Sequence, residues 1–362
     1  MHSQRVLQVL KNMEEEGLSQ ILVSSRSSIF YLTGLWIEPG ERMLALLLKD
    51  DGTLSVFGNA LFSADIKTVD IPHFFHKDSE DPVSDIARAM KPGKIGIDKF
   101  WPAKFLLPLL EKRPDLRAVQ GSSPIDRTRM IKDDSEIKVM RKLSHKNDIV
   151  MSEVIKKIEE NCTETDLADL LSETYKLLGA DNPAIPQIVS FGANAADPHH
   201  SPESIFLEKR CCVLFDIFMS FSHYWCDMTR TVYFKNITKK EQEIYETVKL
   251  ANEEAIKCVK PGVSLSEIDR TARDVISDAG YGKYFTHRLG HGIGVDCHES
   301  PDVSTSSNQI ALPGMIFSIE PGIYVPEKTG VRIEDLVLVT EDGCEVLNHY
   351  SKDLQIIEKA FH

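Results

Sequence analysis

Asp216, Asp227, His291, Glu320 and Glu334 are the residues whose types and spacing point most directly to chemistry. They stand in FDIFMSFSHYWCDMTRT, THRLGHGIGVDCHE, FSIEPGIY and GVRIED, all in the C-terminal half. Hard divalent metals are held by oxygen donors with an occasional imidazole. Carboxylates gathered this way in one fold would repel one another unless about two dications neutralised them, so the set predicts a dinuclear metal site.

The spacing supports this. CCVLFDIFM and HYWCDMTRTVYF are β-rich runs separated by a short polar turn around Phe221-Ser222, the pattern of an antiparallel hairpin. Pairing of residues whose numbers sum to 443 would set Asp216 opposite Asp227. Cross-strand Cβ atoms lie only ~4.5–5.5 Å apart, so two carboxylates there share a cation or repel. The alternative is an exposed acidic pair, but Asp216 interrupts an apolar run that should be buried, and buried charges need partners. IFSIEPGIYV and VRIEDLVLV flank a turn from Pro326 to Gly330 and predict a second hairpin. Glu320 and Glu334 share strand parity there but fall two residues out of register, and Pro321-Gly322 is expected to supply a correcting bulge. Arg332 has the parity of Glu334 and could orient a ligand carboxylate. A lone histidine in a strand such as GHGIG is more often a satisfied core residue than a ligand. His287, His291 and His298 lie close together, and their spacing leaves open which one ligates.

The elements that must position these residues are legible in outline. MHSQRVLQVLKNMEEEG places Val6, Leu7, Val9, Leu10 and Met13 at helical spacing, an amphipathic helix rather than a secretory signal. The apolar runs ILVSS, SSIFYLTG and MLALLLKDDGTLSVFG follow, the last broken by an Asp51-Gly52 turn that predicts a hairpin. KIGID and the helix AKFLLPLLEK complete a compact α/β unit. RPDLRAVQGSSPIDRTR lacks periodicity, which puts a domain boundary near residue 122. Beyond it, DDSEIKVMRKLSHKNDIVMSEVIKKIEE is a long helix. Thr163 with Asp166 and Thr238 with Glu241 open two more, and another runs from about Ser264 to Gly280. The remaining apolar segments read as strands, and every candidate ligand falls on them.

Length and composition set the frame. A chain of 362 residues suggests two domains. A net charge of −13 argues against nucleic acid or an anionic membrane as partner. No apolar run approaches the ~20 residues needed to cross a bilayer. Seven cysteines without a CxxC pair read as reduced core residues, and a cytoplasmic protein is expected.

Taken together the segments resemble the pita-bread metallopeptidase family of methionine aminopeptidase, aminopeptidase P, prolidase and creatinase. Asp, ten residues, Asp, then GHGIG, EPGIY and an R-x-E strand match that family's five-ligand signature in order and spacing. YLTG and the run Arg129, Lys132, Glu136, Ile137 resemble the prolidase and aminopeptidase P branch. The resemblance implies an α+β fold: a catalytic pita-bread domain at 123–362 and a smaller N-terminal α/β creatinase-like domain at 1–122. It implies that Asp227 and Glu334 bridge two ions, that Asp216 completes one site, and that His291 with Glu320 completes the other. Mn²⁺ or Co²⁺ suits these donors best, with Zn²⁺ and Fe²⁺ compatible. His298 and His199 would face the substrate and stabilise the transition state, His200 would be a bystander, and Thr229 and Arg332 would support the ligands. The implied activity is hydrolysis of an X-Pro amide by a metal-bridging hydroxide, with Glu320 moving the proton. The implied partners are a peptide with proline second and a second copy of the chain in a homodimer. Aminopeptidase P, acting on longer peptides, is the nearest alternative, and a non-catalytic peptide-binding module is another. Phe218 and His223 replace small residues beside the first two ligands, predicting a bulkier pocket wall. Asp302 stands where dipeptide-trimming members often have an arginine for the substrate carboxylate, which favours longer peptides or carboxylate recognition by another residue.

Overall fold

A computed structural model of the protein describes residues 3–358. The chain divides into two compact units after Arg129. The boundary read near residue 122 falls earlier, because the helix Ser123–Met130 is tied to the first unit. Asn12 Nδ2 there donates to Pro124 O and Thr128 Oγ1, both at 3.0 Å.

The first unit is a six-stranded mixed sheet ordered His73–His76, Leu54–Asn59, Leu44–Lys49, Gln20–Val23, Gly93–Ile97, Leu116–Gln120. The N-terminal helix, Ser3–Glu15, buries Val6, Val9 and Met13. The expected hairpin forms, with Leu44–Lys49 antiparallel to Leu54–Asn59. SSIFYLTG lies in a helix, Arg26–Thr33, which Gly34 stops at φ 82°. Leu22, Leu47, Phe57, Ile95 and Leu109 form its core.

In the second unit the helices begin where side chains satisfy the free N–H groups of the first turn. Capping boxes at Asp133/Glu136, Thr163/Asp166 and Thr238/Glu241 open Asp134–Ile155, Glu164–Leu177 and Lys239–Cys258. Each cap is worth roughly 0.5–2 kcal/mol. Leu265–Asp278 starts at Ser264, whose hydroxyl accepts from Glu267 N. These helices cover two sheets. One is ordered Ile356–Ile357, Tyr224–Phe234, Cys211–Phe221, Ile188–Phe191; the other Glu299–Val303, Gly290–Gly292, Ile316–Ile319, Asp335–Val339, Cys344–Val346. Gly322–Val325 and Thr329–Arg332 form a separate ribbon. Fully buried Val248, Ala255, Ile268, Phe317, Ile323 and Val337 belong to one core that joins helices to sheet.

Both hairpin registers differ from the sequence reading. The first turn is Ser222-His223, both at positive φ, 51° and 69°. A two-residue loop of that hand matches strand twist. It makes partners sum to 445, so Asp216 pairs with Thr229 and Asp227 with Phe218. The two aspartates are therefore diagonal neighbours on one face, not directly opposed. The second turn is tighter than read: Val325 pairs with Thr329, and Glu327 takes φ 60°. Its register agrees with the pairing of Ile319 to Asp335. Glu320 and Glu334 thus stand opposite each other without a bulge. They lie in short interruptions between strands rather than on strands, unlike Asp216, Asp227 and His291.

Among the described residues no helix is long and apolar enough to cross a membrane. All seven cysteines are free thiols.

Candidate metal centre

The two hairpins and the strand Gly290–Gly292 bring the five acidic and imidazole candidates to one cavity of about 750 Å³. Asp216, Asp227, His291, Glu320 and Glu334 all line it, as do His199, His298 and Arg332. Asp227, His291 and Glu334 each offer a donor atom, all within 4.8 Å of one another. His291 Nε2 lies 3.4 Å from Glu320 Oε1 and 3.9 Å from Asp227 Oδ2. Its Nδ1 is 3.1 Å from Gly292 O, a contact that holds the proton on Nδ1 and leaves Nε2 as a lone-pair donor. The strand glycine beside it is required: a Cβ on Gly290 would come within 1.9 Å of Ser318 O.

The polar partners stop short of satisfying the carboxylates. Thr229 Oγ1 donates to Glu334 Oε2 at 2.8 Å and accepts from Arg332 Nε at 3.1 Å. Arg332 Nη2 donates to Asp216 Oδ2 at 2.8 Å, and Nη1 to Tyr324 Oη at 2.9 Å. Ser318 Oγ donates to Glu320 Oε1. Asp216 Oδ1, Asp227 Oδ1 and Glu334 Oε1 remain buried with no hydrogen-bond donor. Unpaired buried anionic oxygens are costly, and a dication is the partner whose charge and donor preference fit them.

The electrostatics agree. Burial, then the charges of Asp216 and Glu320, drives the Asp227 carboxyl well above the usual carboxylate range. Burial and Asp227 do the same to Glu334. Burial pushes Glu320 up to about 7, with Arg332 opposing. Burial and the neighbouring His298 hold His291 down at about 3, so it is neutral at physiological pH, as a metal ligand must be.

The histidines separate by environment. The His298 ring lies 4.1 Å, centroid to centroid, from that of His291 at a tilt of 54°, and His298 is exposed, as is His199. His200 turns away, its Nε2 2.7 Å from the buried carboxylate of Glu164. His287 Nε2 meets Tyr324 Oη at 2.8 Å. Phe218 lines the cavity as expected, beside Ile188 and Trp225. His223 does not shape the wall: it sits in the hairpin turn, where its backbone N–H and that of Ser222 donate to Asp181.

Residues that the sequence reading did not place here are Tyr324, Arg288 and Cys297. Tyr324 carried a signal, since it shares strand parity with Glu320. Cys297 is not a core cysteine: it lines the cavity, with Sγ 3.6 Å from Asp227 Oδ2. Lys132 and Glu136 also gain roles. Lys132 Nζ makes a buried ion pair with Glu299, next to His298, at 2.8 Å. Glu136 accepts from Tyr224 Oη at 2.8 Å.

Residues 138–341 match Metallopeptidase family M24, and residues 5–131 match the Creatinase/Prolidase N-terminal domain. An uncharacterized peptidase of Staphylococcus aureus is 34% identical over 358 residues, covering 96% of this chain and 99% of its own. The structure of a dipeptidase from Pyrococcus horikoshii superposes with a TM-score of 0.92 at 33% identity, over 98% of this chain and 100% of that one. A prolidase from Thermococcus sibiricus gives 0.94 at 33% identity, over 99% of each. The fold is the α+β arrangement of those proteins, a creatinase-type N-terminal domain followed in the chain by a pita-bread domain. The chain belongs to Metallopeptidase family M24.

Proposed function

We propose that this protein is a prolidase-like Xaa-Pro peptidase using two divalent ions, and that it hydrolyses the X-Pro bond at the N-terminus of dipeptides or short peptides. The observation that carries this reading is the cluster of five donor residues in one cavity, with carboxylate oxygens buried and lacking any hydrogen-bond donor. Similarity over nearly the whole chain to the Thermococcus sibiricus prolidase supports the proline preference. In this reading Asp227 and Glu334 would hold both ions, Asp216 would complete one site, and His291 with Glu320 would complete the other. Bound Mn²⁺ or Co²⁺ would supply Lewis acidity for amide hydrolysis.

The chain's own residues do the rest. Arg332 and Thr229 hold the Asp216 and Glu334 carboxylates in place. The substrate's α-amino group binds on the Asp216 side. Glu320 passes a proton toward the leaving nitrogen, and His298 and His199 stabilise the developing oxyanion from the exposed side. Ile188, Phe218 and Trp225 offer an apolar wall to the first side chain and the proline ring. The same reading includes a homodimer and, from seven free thiols, a reducing, cytoplasmic setting.

A second reading, aminopeptidase P, is favoured by one observation: Asp302 occupies the guanidinium of Arg288, a cation of the cavity wall, and so leaves less positive charge for a substrate's free carboxylate. Mn²⁺-loaded protein should be given Ala-Pro, Ala-Ala and Ala-Pro-Ala-Ala. Release of Ala from Ala-Pro but not Ala-Ala is the expected result. Cleavage confined to the tetrapeptide moves the assignment to aminopeptidase P, and turnover of none on a broad peptide panel leaves a binding module.

A further inference from the structure

The cavity has two arginines, and they differ in availability. Arg332 is buried and each of its nitrogens is engaged, by Thr229, Tyr324, Asp216 and Pro198 O. Arg288 lines the same cavity from the exposed side. Its guanidinium is held by Asp302 in an ion pair whose side chains are 40% and 51% exposed. Asp302 sits across from His291 in the strand pairing and is itself braced by Ser304 Oγ at 3.2 Å. Arg288 shares that cavity with His291, His298 and Glu320, the residues that bracket the reacting bond in the proposed function.

An ion pair this exposed is weak, because solvent screens it and two long side chains must be held in place, so an incoming carboxylate can replace Asp302 at small cost. Arginine is the side chain suited to that exchange, because its planar fork matches a carboxylate bidentately. Consecutive Cα atoms are about 3.8 Å apart, so the two charged ends of a dipeptide lie within roughly 7 Å of each other. A dipeptide with its α-amine toward Asp216 therefore keeps its carboxylate inside the cavity. In a longer peptide the same position is a neutral amide, which gains nothing special from a guanidinium.

We propose that Arg288 reads the free C-terminal carboxylate of dipeptide substrates, and that Asp302 is an intramolecular competitor for the same guanidinium which sets how strongly dipeptides are preferred over longer peptides. The proposal rests on the Xaa-Pro peptidase reading and deepens it. It places the choice between dipeptide and longer peptide in an exchangeable ion pair at the cavity rim rather than at the metal ligands.

The test uses metal-loaded protein and three substrates: Ala-Pro, its C-terminal amide and Ala-Pro-Ala-Ala. The readout is the ratio of kcat/KM for Ala-Pro to kcat/KM for the amide. Arg288→Gln should lower that ratio about tenfold, the size of one lost charge-assisted contact. Asp302→Asn should raise it several-fold, by freeing the guanidinium without removing it. The two variants move the ratio in opposite directions, which a general loss of folding would not produce. A ratio unchanged in both variants overturns the proposal alone. Failure of the unaltered protein to cleave any of the three overturns the peptidase reading and the proposal with it.

Discussion

At the scale of single residues, Asp227 and Glu334 carry the account. They are 5% and 2% exposed, and each keeps one oxygen without a donor. Replacing Asp227 with Asn removes a charge at nearly constant shape, so two effects of opposite sign are expected. Metal content should fall by at least one ion and turnover by at least about 100-fold, since even the partners of ligands are worth 10–100-fold. The metal-free variant should melt a few degrees above metal-free wild type, because one unpaired buried acid has gone. Plasma mass spectrometry and calorimetry read the two effects separately, and unchanged metal content with unchanged rate would remove Asp227 from the site. Residue types made this cluster legible in the sequence, since an acid inside an apolar run is costly to bury unless a cation or a donor meets it. Its contacts were less so. Whether His287, His291 or His298 faces the carboxylates depends on which of them the short strand Gly290–Gly292 carries, and only His291 lies on it. Cys297 read as core because composition cannot distinguish a packed thiol from one beside a cavity.

At the scale of elements, helix starts were legible because a capping box is a local pattern, whereas hairpin register was not. One residue more or less in a turn shifts every pair, and Ser222-His223 gives no glycine to mark the tight turn it forms. Converting Ser222-His223 to Asn-Gly should stabilise the protein by about 0.5–1 kcal/mol, because those residues accept positive φ more readily. Chemical denaturation measures the gain. Activity should stay as it is, and a large loss would restore His223 to the pocket wall. The start of the helix Asp134–Ile155 makes a second case. Lys132, just before it, reaches Glu299, and the two side chains are 1% and 7% exposed. Lys132→Met leaves that glutamate buried without its cation, a loss of about 3–5 kcal/mol by urea unfolding. Because Glu299 adjoins His298, kcat/KM should fall as well. A variant with wild-type stability would show that the pair is not needed to hold that segment.

For the whole molecule, length and the loss of periodicity near residue 122 indicated two units. The division after Arg129 has no local sequence mark, because Ser123–Met130 is tied to the first unit through contacts with a residue more than 100 positions away. Stability should show the charge cluster as a pH effect. Asp227, Glu320 and Glu334 have carboxyls raised above their unfolded values, so they favour the metal-free fold fully only below about pH 4. That contribution is lost as pH rises, through about 7 for Glu320. Bound cations need the ionised forms, so the rise in Tm produced by Mn²⁺ should grow from about pH 5 to about pH 8. A rise independent of pH would mean that the ions bind elsewhere. The most direct measurement is to strip the protein of metal, titrate it with Mn²⁺, and follow bound ions and Ala-Pro hydrolysis together. Two ions per chain are expected, with hydrolysis that appears only as they bind. Hydrolysis at full rate in protein with no measurable metal would contradict this.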